Sequence, residues 1–425
     1  MLIQRANLLG RAMGTVDIRV GDTIEEIGPS LAARRGEPVL DAALGAVIPG
    51  LHDHHVHVYS AAAEHNSLRV GPDQARDTDE LRKLFAGAVP GADGWIRAVG
   101  YHEQVAGPLD RDRLDAVAPA VPVRVQHRSG VLWTLNSAGL AAIGRPDHPD
   151  GILRSADPTW AEVLPRRDAE IGSYAERLAR YGVTAVTDAT PDLSERPRGL
   201  PQRLHMLAPG KKILHDDALD LDGLVTWIGE RHAEDVPVAV HCVTAAQLVV
   251  TMAALRTTGV LPGDRIEHAA MVPDDCVGDL AELGVTVVTQ PNFVAERGDT
   301  YRRDVDAADH HQLWRVATLL TAGVRVALST DAPFGDADPW AAMRAAVHRR
   351  TPQGFVLNPD ERIPAHTALE LFFGTAQDPA RPRRVQVGQP GDLCVLAAPP
   401  RQVVRTLDAD LVAATIIGGT VVFSR

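Results

Sequence analysis

The sequence predicts an α/β chain built on a TIM-type (β/α)8 barrel, and three observations predict it. Apolar, β-rich runs alternate with helical stretches through the middle of the chain, the pattern of a parallel sheet. Eight such runs occur, at Leu51–Val58, Val183–Asp188, Gln202–Leu207, Lys211–His215, Val236–His241, Arg265–His268, Val285–Gln290 and Val324–Ser329. Several end on, or just before, histidine or aspartate, and the C-terminal ends of strands are where such barrels gather their reactive groups.

Taken in order, the first 48 residues read as the short strands Met1–Ala6, Thr15–Val20, Thr23–Ile27 and Ala46–Ile48. The other end reads alike, as Asp392–Leu396, Gln402–Thr406 and Ala413–Phe423 with a Gly418-Gly419 turn. Strand-rich ends around an α/β middle predict one small β-sandwich from residues 1–48 and 383–425, two separate edge hairpins being the alternative. Residues 49–382 are then the barrel, with helices Leu221–His232, Thr244–Thr257, Cys276–Leu283, His311–Ala322 and Trp340–Arg349 in its later gaps. Residues 60–180, after the first strand, exceed any crossover and carry strands of their own, Trp95–Val99 and Val121–His127. They read as an inserted cap. The connection between Gln202–Leu207 and Lys211–His215 has the opposite fault, being too short for parallel neighbours. Either one of the two is misassigned or the barrel is irregular there.

Composition narrows the function. The hydrophobic fraction of 45% and charged fraction of 23% are those of a globular protein. No apolar run approaches the roughly 20 residues of a membrane span. The start, MLIQRANLLGRAMG, has no secretory core, so a cytoplasmic location is expected. Cys242, Cys276 and Cys394 are scattered and odd in number, against a disulfide framework. A formal net charge of −12 argues against nucleic acid and leaves a small-molecule substrate as the expected partner. Exposed sandwich edges are compatible with a homodimer.

The strongest local signal is Ile48-Pro-Gly-Leu-His-Asp-His-His-Val-His57. Side chains at i and i+2 of a strand share a face, so His55 and His57 project together and can share a divalent ion. His52 and His54 fall on the opposite face. A lone His-x-His is as easily structural, but Val236–His241 and Asp264–His268 also end on histidine, and Val326-Ala-Leu-Ser-Thr leads into Asp331. A divalent metal, one or two per chain, is the expected cofactor. Zinc suits the histidines, with iron, manganese or cobalt also compatible.

This order of ligand types resembles the amidohydrolase superfamily, and more narrowly its amidohydrolase-3 branch. Pro49 to His57 matches the Pro-Gly-Leu-x-Asp-x-His-x-His opening. Gly100-Tyr-His-Glu103, Leu132-Trp-Thr-Leu-Asn136, Tyr181 to Asp188 and Val288-Thr-Gln-Pro291 add support along nearly the whole chain. The resemblance implies metal ligation by His55, His57, His241, His268 and Asp331, with Asp331 also the proton shuttle. It also aligns Gly210-Lys-Lys-Ile-Leu-His-Asp216 with a segment whose lysine becomes a carbamate bridging two metals, which places Lys212 there. Arginine cannot take that role, and the only lysines are Lys83, Lys211 and Lys212. Strand alternation lets only one of the pair face inward.

Asp331 and His268 are thus the catalytic candidates. The activity implied is hydrolysis of a C–N bond, amide-type and not peptide, by metal-bound hydroxide. Without a carbamate, a single-metal deaminase or cyclic-amide hydrolase becomes the reading; ester or lactone hydrolysis uses the same attack. A non-catalytic scaffold is disfavoured because every ligand position is filled. Substrate contacts are expected from the cap at Tyr101, His102, Glu103, Arg128, Trp133 and Asn136, and after the seventh strand at Gln290 and Phe293.

Overall fold

The computed structural model describes residues 1–9, 14–72, 74–91, 93–154, 157–160, 162–164, 171–191, 193 and 195–425. The chain divides into two compact units, Met1–Val58 with Gly172–Arg425, and Tyr59–Ile171. The architecture is mixed α/β.

Eight parallel strands carry the first unit: β1 (Leu51–Val56), β2 (Val183–Asp188), β3 (Arg203–Met206), β4 (Lys211–Ile213), β5 (Ala239–Cys242), β6 (Arg265–His268), β7 (Thr286–Thr289) and β8 (Arg325–Leu328). They pair as two sheets, β3-β2-β1 and β4-β5-β6-β7-β8. Among the described residues the ladders do not close into one ring. A single parallel bridge, Val56 to Ala332, joins the end of β1 to the chain just past β8. The short connection explains the break between β3 and β4. Residues 207–210 close a turn, with the Gly210 N–H donating to Leu207 O at 2.8 Å, and cannot supply a crossover. Both strands exist; they simply are not partners.

β1 and β2 are buried along their whole length, as parallel strands covered on both faces must be. Gly50, in the Pro-Gly-Leu opening, permits their close approach, since a Cβ there would lie 2.2 Å from the Thr184 side chain. Buried Asp53 on β1 accepts from the Thr330 amide at 3.0 Å and its hydroxyl at 2.5 Å, linking the first strand to the end of the last. Burial pushes the Asp53 carboxyl up to about 7, against the pull of those Thr330 bonds.

Capping explains where the helices begin. Asp220 accepts from the Gly223 amide at the start of Leu221–Ala233, and Thr244 forms a capping box with Gln247 before Ala245–Thr258. Two expected elements differ. Gln402–Thr406 is not a strand but part of the helix Pro400–Thr406, which opens on a proline at its first position and buries Val403 alone. The single helix expected over His311–Ala322 is a 3-10 turn, Ala307–Gln312, and a helix, Val316–Thr321, interrupted at Trp314, whose φ is +52°.

Both chain ends contribute to one eight-stranded sheet. Leu2–Leu8, Val16–Val20, Ile24–Gly28, Val39–Asp41 and Ala46–Pro49 come from one end; Leu393–Leu396, Val412–Ile417 and Thr420–Ser424 come from the other. The seam is the antiparallel pairing of Ala46–Pro49 with Leu393–Leu396. Ile3, Ile18, Val47, Leu393 and Ile416 share its core.

The second unit has its own sheet, in the order Ile152–Arg154, Leu132–Leu135, Val123–His127, Ile96–Tyr101, Leu68–Arg69. It has its own apolar clusters, one around Phe85, Ile96 and Leu114, another around Trp95, Trp133 and Trp160. Among the described residues no helix is long and apolar enough to cross a membrane.

Candidate metal centre

The C-terminal ends of β1, β5, β6 and β8 bring four imidazoles and a carboxylate together. His55 and His57 rings lie 5.4 Å apart, His55 and His268 4.8 Å, and His241 and His268 4.5 Å. Asp331 Oδ1 stands 3.4 Å from Nε2 of both His55 and His57, and Oδ2 stands 4.0 Å from His268 Nδ1. The carboxylate is buried and its Oδ1 has no hydrogen-bond partner. A buried anionic oxygen without a donor is costly unless a cation takes that place. Both His268 and Asp331 hold left-handed backbone, φ +71° and +57°, away from glycine, a strain that collects at functional sites.

The imidazoles are prepared as ligands. Nδ1 of His55 donates to Glu267, Nδ1 of His57 pairs with Thr190 Oγ1 at 3.2 Å, and Nδ1 of His268 pairs with Gln290 Oε1 at 2.7 Å. A proton held on Nδ1 leaves the Nε2 lone pair as the donor to a cation. Burial lowers the pKa of His55 and His268 and takes His241 down to about 3, keeping the rings in the neutral form that binds metal.

The inward lysine is Lys211, not Lys212. Lys211, the first residue of β4, is buried and its Nζ has no hydrogen-bond partner. Burial lowers its pKa, opposed by the charges of Glu267 and Asp331. Lys212 points the other way, its ammonium 4.9 Å from the ring centre of Trp227 on the helix Leu221–Ala233. The alternation argument holds; it is the choice between the two that the Trp227 contact reverses.

Against this geometry, a model of the amidohydrolase family (Amidohydro_3) matches residues 38–423. The chain belongs to the amidohydrolase family. An N-substituted formamide deformylase from Arthrobacter pascens is 24% identical over 439 residues, covering 80% of each chain. A metal-dependent hydrolase of uncharacterised activity from Pyrococcus horikoshii OT3 superimposes with a TM-score of 0.76 at 19% identity, over 94% of this chain and 97% of that one. Atrazine chlorohydrolase TrzN from Arthrobacter aurescens TC1, solved with zinc, gives a TM-score of 0.51 at 14% identity, over 100% and 95%. Family membership carries the general chemistry, metal-dependent hydrolysis of carbon–nitrogen bonds other than peptide bonds.

Other amidohydrolase candidates fall differently. The Tyr101 hydroxyl donates to Gly107 O at 2.6 Å and its ring is core. Trp133 packs among Trp95 and Trp160, with the Arg97 and Arg124 guanidiniums 5.3 and 5.6 Å from its ring centre. Asn136 accepts from the Val123 and Gly139 amides and donates to Val121 O. These three serve the second unit's own packing. The exposed Arg128 donates its amide to Tyr101 O at 2.9 Å. Gln290 is turned from substrate to support, holding His268 and donating to Ser329 Oγ at 2.8 Å. Phe293 packs against Trp314 at 5.3 Å.

His102 and Glu103 form a trio with His127, a second place where ligand-type atoms converge. Its hydrogen bonding argues against a cation. Both Nδ1 atoms accept main-chain N–H groups, from Gln104 and Ser129. The ring proton must then sit on Nε2, and both Nε2 atoms face Glu103 Oε2, at 3.6 and 3.2 Å. Glu103 is thus a carboxylate that accepts from His127, with the His102 ring alongside.

Glu267 escaped the sequence reading. It is fully buried, takes the Nδ1 proton of His55 and two donors of Arg265, whose Nη2 also donates to His54 O at 2.5 Å. The signal was legible: two charges at i and i+2 inside a buried strand that ends on a candidate ligand. Glu267→Gln is expected to weaken metal affinity and activity about 10- to 100-fold, read by competition with a chelating dye. Unchanged metal affinity would refute the positioning role.

Proposed function

We propose that the chain hydrolyses the amide bond of small N-substituted carboxamides, with N-substituted formamides the first class to assay, on a TIM-type barrel. The observation that carries the reading is the orphaned Asp331 Oδ1, 3.4 Å from two Nε2 atoms, together with the buried, unpartnered amine of Lys211. His55, His57, His241, His268 and Asp331 would hold divalent metal, with Lys211 as carbamate joining two ions. Zinc is the ion we expect, as in the TrzN neighbour. When bound, the metal supplies Lewis acidity toward the carbonyl and an activated water.

The chain's own residues do the rest. Asp331 Oδ1 takes the proton from the attacking water and passes it to the departing nitrogen. Gln290, Thr190 and Glu267 keep the three rings oriented. Burial favours the neutral form of Lys211, and the neutral amine is the form that reacts with carbon dioxide. The formamide class is drawn from the Arthrobacter pascens relative.

Release of formate and amine from N-substituted formamides tests the reading. Activity should fall at least roughly 100-fold on chelation and return with zinc. Turnover that survives full metal removal would defeat it; ammonia release from cyclic amidines without formamide cleavage would favour the deaminase alternative.

A further inference from the structure

Phe334 lies three residues beyond Asp331 in the loop that follows β8, and it is the one aromatic ring in contact with an imidazole of the centre among the described residues. It meets His57 edge-to-face, with centroids 5.3 Å apart and planes at 88°. Yet it is not core: 38% of Phe334 is exposed. Among His55, His268, Asp331 and His57 the side-chain exposures are 1%, 4%, 7% and 14%, and His241 is also partly exposed, so His57 is one of two rings of the centre open to solvent. An exposed apolar residue is ordinary by itself. This one lies against a partly exposed imidazole of a buried polar cluster.

The ring is also held in place. The Phe334 amide donates to Asp331 O at 2.8 Å, and its carbonyl accepts from Arg297 Nη2 at 2.5 Å. Arg297 is itself pinned 4.5 Å over the buried ring of Phe293. A Cβ on the neighbouring Gly335 would lie 2.2 Å from Asn292 Nδ2 and 2.4 Å from Thr330 O, so the backbone there packs closely against both. Main-chain atoms make these contacts, and the side chain is left to face outward on a fixed backbone. Preorganised apolar surface of this kind binds without an ordering penalty.

We propose that Phe334 forms the apolar wall of a subsite that receives the hydrocarbon substituent of the substrate, an alkyl or aryl group beside the scissile amide. The inference rests on the amide-hydrolase reading above, and places the substituent on nitrogen when the acyl group is formyl.

The test is calorimetric binding of N-methyl-, N-propyl- and N-pentyl-N-hydroxyformamide, which carry the chain on nitrogen, to the metal-loaded protein. Burial of each added methylene on an apolar surface strengthens binding by up to about fourfold. The wild type should therefore bind the N-pentyl compound at least about 20-fold more tightly than the N-methyl compound. In Phe334→Ala that ratio should fall below about fivefold, with Phe334→Leu between. The main-chain bonds of the loop are untouched by either change. Equal ratios in wild type and Phe334→Ala, or no chain-length dependence in the wild type, overturn the wall. Turnover of N-methyl- and N-hexylformamide is followed in parallel. A Phe334-dependent binding ratio with no turnover would leave the subsite standing and remove the amidase reading instead.

Discussion

Lys211→Ala is expected to lose metal and turnover together, while Lys212→Ala keeps both. Metal content should fall from about two ions per chain to one or fewer, and kcat/KM by roughly a thousandfold. Lys212→Ala should stay within about threefold, since an exposed cation–π contact is worth only about 0.5–1 kcal/mol. The contrast follows from where the two amines sit: Lys211 Nζ is buried without a partner, Lys212 Nζ lies over Trp227. Instability does not supply a rival explanation. A buried unpaired amine opposes folding, so Lys211→Met, which keeps the aliphatic bulk, should melt at or above the wild-type temperature while still losing metal. Formate or acetate added to Lys211→Ala offers the missing carboxylate oxygens and should restore part of the activity. Metal and activity retained in Lys211→Ala, or lost in Lys212→Ala, would return the assignment to the other lysine.

Much of the frame was legible because its signals are local. Alternation on β1 placed His55 and His57 on one side, and strand-end histidines and Asp331 were found where the parallel topology gathers them. The readings that failed depended on contacts distant in sequence. Nothing within the Lys-Lys pair says which amine turns inward; Trp227, on the following helix, decides it. Tyr101, Trp133 and Asn136 looked like substrate groups because they join an apolar body or a short chain to a polar end. In the fold Tyr101 gives its hydroxyl to Gly107 O, Trp133 takes arginines against its ring, and Asn136 binds three main-chain groups. Gln290 carried a different lesson: a residue read as a substrate group binds His268. Gln402–Thr406 failed for a local reason, because valines invite a strand reading while the Pro399-Pro400 entry begins a helix.

Asp331→Asn should reduce kcat roughly 10³- to 10⁴-fold, with substrate affinity changed by no more than a few-fold. Asparagine matches aspartate in shape and tolerates left-handed backbone better than most residues, so φ +57° at this position is no obstacle to folding. The main-chain bonds persist as well: the amide of residue 331 to His55 O at 2.9 Å, and the amides of Phe334 and Gly335 to its carbonyl at 2.8 and 3.1 Å. What changes is Oδ1, the oxygen that faces both Nε2 atoms at 3.4 Å. An amide oxygen there can still approach a cation but cannot accept and release a proton. Metal should therefore bind more weakly and not vanish, because the four histidines and Lys211 remain. Turnover should stay low even when metal saturates the variant. That separation is the decisive measurement. If saturating metal restores more than about a tenth of wild-type kcat, Asp331 acts only by holding metal, and the proton must travel through another group.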